Sequence, residues 1–386
     1  MKTSKETDTV KTSKETDSAK TSKEINAVKT SKGTDAVKIF PGVLSRKAAV
    51  KTLTLAMVTV AFAILQIMQM RGMVSSSLRG MLVPICAYIV MAVSLNLTVG
   101  ISGELSLGHA GFMSVGAFSG TAAAIALQNT IPFAPVRLAL AMLTGAVFAA
   151  FAGFLIGVPV LRLKGDYLAI VTLAFGEIIK AVLNNLYLGM DSHGLHVSLL
   201  SDVTGTQADG RMIIRGPMGI GSIAKISTFT AGFILVVLTL LIVFHLIDSR
   251  AGRAIMAIRD NRIAAESVGI SVTKYKMMAF VTSAALAGSA GALFAMNYST
   301  IVANKFDFNT SILILVFVVL GGLGNIPGSI IAAAVLTILP EALRQFYDYR
   351  MLLYAIILIV MMLATNNPAL KNFFSSLGRK RNAETV

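Results

Sequence analysis

An isolated charge within a hydrocarbon surround is costly, so ionisable residues inside apolar sequence are where chemistry is sought first. Glu177 lies about ten residues into the apolar run that opens near Tyr167, roughly 15 Å deep by helical rise, and Lys180 follows at the i+3 spacing that lets helical side chains meet. A proton relay and a local ion pair both fit. The two charges compensate each other, which favours the pair, and Glu177 is expected to face the protein interior. His109 with Glu104 resembles a proton or metal site, but two such groups are too few for a ligand set, and a local hydrogen bond is the expectation. His193 and His196 stand at i,i+3 without clustered carboxylates, so no metal is assigned to them. The single cysteine, Cys86, can build neither an intrachain disulfide nor a cysteine-based metal site. His109 and His245 lie near the ends of apolar runs, and no His, Cys or Asp set converges, which speaks against an intramembrane enzyme. A glycine-rich loop ending in Gly-Lys-Ser or Gly-Lys-Thr, the phosphate-cradling sequence, does not occur. Any ATP is therefore expected to be hydrolysed on another subunit, and no cofactor is expected here.

The elements that hold these residues are set by composition. Of 386 residues 55% are hydrophobic and 14% charged, and mean hydropathy is +0.75. A soluble domain carries about 25% charge, so the solvent for most of this chain is lipid. Apolar runs at 52–70, 80–98, 106–127, 137–161, 167–187, 226–247, 277–298, 309–323, 328–343 and 351–366 are candidate spans. About 20 residues cross the hydrocarbon as a helix, so the fold class is an all-α, polytopic membrane helical bundle of about ten transmembrane helices with a cytoplasmic coupling loop. Alternating barrel strands are not seen. Residues 2–38 contain four copies of a nine-residue unit followed by Lys38, with nine Lys against six acids and no aromatic before Phe40. Such a segment buries too little apolar area to offset chain entropy. The expected division is a disordered tail at 1–45, a transmembrane domain at 46–370 and a basic cytoplasmic tail at 371–386.

The net charge of +15 is spread over the tail and loops without a base-stacking aromatic surface, so nucleic acid is not an expected partner. The positive-inside rule accounts for it better. Arg46, Lys47 and Lys51, then Arg162 and Lys164, then Lys371, Arg379, Lys380 and Arg381 all fall on one side, which makes both termini cytoplasmic. Arg71 and Arg79 oppose this orientation, as do Arg211, Arg215 and Lys225 in the long external loop 188–225, although long loops translocate despite their charge.

The stretch from Asp248 to Lys276 is long for a connection in a bundle, mixed in charge and cytoplasmic by this orientation. A short helix over Ala254–Ser267 places Ile255, Ile258 and Ile263 on an apolar side, with Arg253, Arg259, Asp260, Arg262 and Glu266 polar and Gly269 as C-cap. Such a helix suits docking into a groove of a soluble partner; a purely basic face would suit a lipid surface better. Gly100, Gly103, Gly108, Gly111, Gly116 and Gly120 cluster at the start of the third span, and Gly321, Gly322, Gly324, Pro327 and Gly328 interrupt a later one. Paired interruptions point to a transport path; tight helix packing explains any one glycine nearly as well.

Four blocks now carry a resemblance. LNLTVGISGELSLGHAGFMSVGAF at 95–118, LRLKGDYLAIVTLAFGEII at 161–179, GRAIMAIRDNRIAAESVGI at 252–270 and LGGLGNIPGSIIAAA at 320–334 resemble the LivM-type permease of branched-chain amino-acid ABC importers. The resemblance implies pairing with a homologous LivH-type permease and binding of two ABC ATPase subunits through the 252–270 loop. It also implies delivery of a small-molecule substrate by an extracytoplasmic substrate-binding protein, in a bacterial cytoplasmic membrane. The coupling residues would be Arg253, Arg259, Asp260, Asn261, Glu266 and Gly269. The translocation path would draw on Gly103, Ser106, Gly108, His109, Phe112, Glu177, Gly322 and Gly324. Importers of urea and short amides share the architecture, and the repeated tail lies outside the family pattern. An ion-coupled secondary transporter is the competing class. It would also show broken helices, but it would carry coupling residues at depth, where Glu177 is the one strong candidate.

Overall fold

Apolar run length dictates the helices, and each of the ten expected spans coincides with one. The structure, a computed structural model, describes residues 50–73, 75–163, 166–191, 194–198, 211–344 and 349–366. The tail 1–45, Lys164, His193 and the basic tail 371–386 lie outside the described residues. Contacts divide the chain into a unit of residues 1–64 and a unit of residues 65–386. Helix α1 is Val50–Met70 and runs through that boundary, with Thr54 and Thr59 hydroxyls donating to the carbonyls of Val50 and Leu55 one turn back.

The second unit follows as α2 (Ser76–Asn96), a π-helical turn (Leu97–Ile101), α3 (His109–Ala126), α4 (Ala134–Val160) and α5 (Asp166–Asn184). Three short strands come next, β1 (Tyr187–Asp191), β2 (Gly194–Ser198) and β3 (Arg211–Arg215), then α6 (Phe229–Asp248). The chain continues through α7 (Arg250–Asp260), α8 (Arg262–Ser267), α9 (Val272–Ala295), α10 (Phe308–Gly321), α11 (Ile326–Ala342) and α12 (Arg350–Asn366). Among the described residues seven helices are long and apolar enough to cross a membrane. Helices α3, α11 and α12 occupy the remaining three apolar runs.

Helix α2 is buried almost all round, with Val90, Met91, Ala92 and Leu95 fully enclosed, and it is the central post of the unit. Around it, α3, α4 and α9 meet backbone to backbone. A Cβ on Gly116 would lie 2.1 Å from the Gly288 carbonyl oxygen, and one on Gly288 would lie 2.4 Å from that of Gly145. Small residues here allow an approach that side chains forbid, so dispersion and weak polar contacts act where lipid offers no hydrophobic drive.

Two local features depart from expectation. The segment after α5, read as a loop, forms an antiparallel sheet of order β2-β1-β3, with Gly189 opposite His196 and a bulge between Leu188 and Gly189. The single helix expected over Ala254–Ser267 is two. Asn261 takes an extended conformation, φ −154° and ψ 104°, and its Oδ1 accepts from the Ala264 N–H at 3.0 Å. A short polar side chain competes with the helix backbone and starts a new helix instead of continuing the old one.

Candidate functional site

The end of α2 unwinds before α3 begins. Ser102 N–H donates to Leu97 O five residues back, Glu104 N–H to Thr98 O, and Gly103 sits at φ +77°. Only a residue without Cβ enters that region freely. Residues 102–108 then run as irregular backbone until His109 starts α3 with Gly108 as its cap. Non-helical backbone at membrane depth is tolerated where protein or a wet cavity receives its polar groups. Here the protein does so in part: Thr172 Oγ1 accepts the Leu107 N–H at 3.1 Å, and Gly108 lies against the Thr172 carbonyl. The buried hydroxyls of Thr98 and Ser106 have no partner among the described residues.

The second interruption meets the first. Helix α10 ends at Gly322, φ +92°, and Gly324, φ +80°, precedes α11. Asn96, fully buried at the end of α2, accepts the Gly324 N–H at 2.8 Å and donates to Ser329 Oγ at 2.9 Å. One amide thus ties the broken end of α2 to the turn between α10 and α11.

Helix α7 reaches the same place. Arg259 Nη1 donates to Gly100 O at 3.0 Å, while Nε and Nη2 hold Asp260 Oδ1 at 3.1 and 3.0 Å. A Cβ on Gly103 would lie 2.7 Å from Arg259 Cγ, so the side chain lies across the positive-φ glycine. Lys276 of α9 forms an ion pair with Glu104, the two side chains being 13% and 11% exposed. Helices α7 and α9 therefore both grip the unwound stretch.

Several expectations change. Glu104 pairs with Lys276, and His109 Nε2 lies 2.8 Å from Ser94 Oγ, so the hydrogen bond expected between Glu104 and His109 is replaced by two separate contacts. His109 is buried beside Phe112, which packs edge-on against Phe280 at 5.4 Å between centroids. Glu177 pairs with Lys180 as expected, but its side chain is 43% exposed and is not enclosed by this chain. The apolar side of the coupling segment is also divided: Ile255 and Ile258 are buried against the chain itself, whereas Ile263 is 80% exposed.

The outer residues of the segment are held locally. Arg253 Nη1 donates to Asp248 O at 2.8 Å, and Arg262 pairs with Glu266 at 3.0 Å. Gly269, φ +83°, closes α8: its N–H donates to Glu266 O at 3.0 Å, and Ile270 N–H donates to Ala265 O at 3.1 Å. These are the two bonds of a Schellman motif, with Ala265, Ile270, Ile258 and Val272 packed beneath.

Asn96, Ser94 and Lys276 were missed in sequence. Asn96 and Ser94 are polar residues inside the run MAVSLNLTVG, and polarity at membrane depth is the signal that marks them. No group of three or more His, Cys, Asp or Glu able to hold a metal occurs among the described residues.

Broken apolar helices with a charged connection docked on one break mark a polytopic helical membrane protein. Residues 77–365 match the family described as the permease component of the branched-chain amino acid transport system, and the chain belongs to that family. It is 39% identical over 231 residues to a high-affinity branched-chain amino acid transport system permease protein, LivM, of Salmonella typhimurium, covering 57% of this chain and 54% of that one. It is 37% identical over 227 residues to the LivM of Escherichia coli K12, covering 56% and 53%. A shorter stretch of 118 residues is 32% identical to the LivH permease protein of Escherichia coli K12, 30% of this chain and 38% of that one. The matched part thus spans about half the length of the LivM relatives. No solved structure matches.

Proposed function

We propose that this chain is the LivM-type permease subunit of an ATP-driven importer for branched-chain amino acids or related small solutes. Its partners in this reading are two ABC ATPase subunits, a homologous LivH-type permease and an extracytoplasmic substrate-binding protein. The observation that carries it is the hydrogen bond from Arg259 to Gly100 O, because it joins the charged connection to the broken end of α2. Force from a closing ATPase can pass only through a contact held in two arrangements, and this contact lies on a hinge-like glycine stretch. Exposed Ile263 and Val268, together with the Arg262–Glu266 pair of α8, form the surface offered to the ATPase. Both termini and the α7–α8 end are cytoplasmic in this reading, in accord with the basic loops.

The test uses the complex reconstituted in vesicles, with leucine, isoleucine and valine uptake measured beside ATP hydrolysis. Glu266→Lys reverses an interface charge and should reduce co-purified ATPase and substrate-stimulated hydrolysis while leaving insertion intact. Wild-type values of both would show that this surface is not the ATPase contact. Absence of uptake of all three amino acids by the wild-type complex would remove the substrate assignment.

A further inference from the structure

Gly100 is where three elements share one small volume. Its carbonyl accepts from Arg259 Nη1 of α7 at 3.0 Å, and a Cβ on it would lie 1.9 Å from Asn96 Oδ1 and 2.2 Å from the Gly324 backbone nitrogen. Asn96 is fully buried and uses both ends of its amide, Oδ1 accepting the Gly324 N–H at 2.8 Å and Nδ2 donating to Ser329 Oγ at 2.9 Å. Close-packed interiors transmit a displacement instead of absorbing it. A pull on the Gly100 carbonyl therefore reaches Gly324 backbone against backbone, with the Asn96 amide holding the two together.

What lies beyond Gly324 is also stiff. A Cβ on Gly321, at the end of α10, would lie 2.3 Å from the Ser329 backbone nitrogen of α11, and one on Gly328 would lie 1.9 Å from the Gly321 carbonyl oxygen. Asn325 closes the turn, its N–H donating to Gly322 O at 2.9 Å and its Nδ2 to Gly321 O at 3.1 Å. The end of α10 and the start of α11 form one knot, so displacing Gly324 moves both.

We propose that Asn96 is a positioning residue for transport: it makes the α10–α11 turn follow the Gly100 carbonyl when α7 moves it. This rests on the importer reading, in which an ATPase moves α7, and it names the second broken helix as the part that is moved. The amide suits the task because its two hydrogen bonds are neutral and reach separate parts of the knot, Gly324 in the turn and Ser329 in the first turn of α11.

The test uses the complete complex in proteoliposomes, with leucine taken up per ATP hydrolysed read beside the melting temperature. Asn96→Ala should lower that ratio several-fold. Ser329→Ala also leaves a buried group unpaired but keeps the Gly324 contact, so it should lower the melting temperature by a few degrees and leave the ratio near wild type. Hydrogen exchange adds a readout that stability does not move. Trapping the ATPases with ATP and vanadate should change exchange of the Gly324 and Asn325 amides in the wild-type complex but not in Arg259→Ala, although Arg259 is not their partner. Losses of the ratio that track melting temperature equally in Asn96→Ala and Ser329→Ala would show that the amide only stabilises, and would overturn the proposal. An unchanged ratio in Asn96→Ala overturns it too, as does exchange at Gly324 that nucleotide leaves unaltered in wild type, which decides the matter if Asn96→Ala does not assemble. A wild-type complex that neither takes up leucine nor hydrolyses ATP in response to it removes the importer reading itself, and the proposal with it.

Discussion

Arg259 divides its donors between two acceptors, the buried Gly100 carbonyl and the exposed Asp260 carboxylate. Arg259→Ala leaves that carbonyl unsatisfied at a cost of about 1–3 kcal/mol, too little to prevent insertion. It should nonetheless lower uptake and uncouple ATP hydrolysis from substrate in the reconstituted complex. Arg259→Lys should rescue only in part, because a point ammonium cannot span both acceptors as a planar fork does. Wild-type coupling in Arg259→Ala would exclude the contact from the mechanism. Gly269 makes a sharper case, since open space surrounds it and a substitution there meets no clash. Gly269→Val therefore costs backbone strain alone, about 1–2 kcal/mol for a left-handed residue, concentrated in the last turn of α8. Hydrogen exchange of the Gly269 and Ile270 amides should quicken while exchange in α9 is unchanged. Gly269→Asn should be milder, because Asn tolerates that region.

Between elements, two of the polar contacts that hold the broken helices differ in kind. Asn96 joins α2 to the α10–α11 turn by neutral hydrogen bonds; the Glu104–Lys276 pair joins the unwound segment to α9 by opposite charges in a largely buried place. Lys276→Met alone strands a carboxylate and should cost about 3–5 kcal/mol, whereas Lys276→Met with Glu104→Gln should recover much of it. Thermal melting of the single and double variants checks this, and additive losses would show that the pair is not coupled. The ten apolar helices were legible from sequence because continuous apolar runs mark them, and seven of them are long and apolar enough to cross a membrane. The contacts were not, because Glu104 meets Lys276 across 172 positions and Asn96 meets Gly324 across 228, separations that periodicity cannot reach. Local geometry hid the sheet after α5, whose five-residue strands lie in a glycine-bearing stretch, and the break at Asn261, whose polarity suits a helix's wet face equally well. The paired glycine interruptions were legible, but that they abut each other through Gly100 and Gly324 was not.

For the molecule as a whole, orientation is the open quantity, and one cysteine makes it measurable. With buried Cys86 replaced by Ala, Ile263→Cys and Met218→Cys each place a thiol at an exposed position, one on the coupling end and one beyond the sheet. In membranes without the ATPase subunits, an impermeant maleimide should label Ile263→Cys only in inverted vesicles and Met218→Cys only in intact spheroplasts. The reverse pattern would invert the proposed topology. Helix α9 connects these two ends. Val272 packs under α8, Met296 lines a small pocket beside Thr121 at the other end, and at Gly288 the helix is pressed against α3 and α4 with no side chain between. The contact is not confined to that point, because an added Cβ on Gly291 would lie 2.0 Å from the Met113 carbonyl oxygen of α3 and one on Gly157 of α4 would lie 2.7 Å from Met277 Sδ, so α9 is clamped along its length. A displacement of α9 at the α8 end therefore carries α3 and α4 with it and reaches the far end as the movement of one block, not as the swing of a single rod.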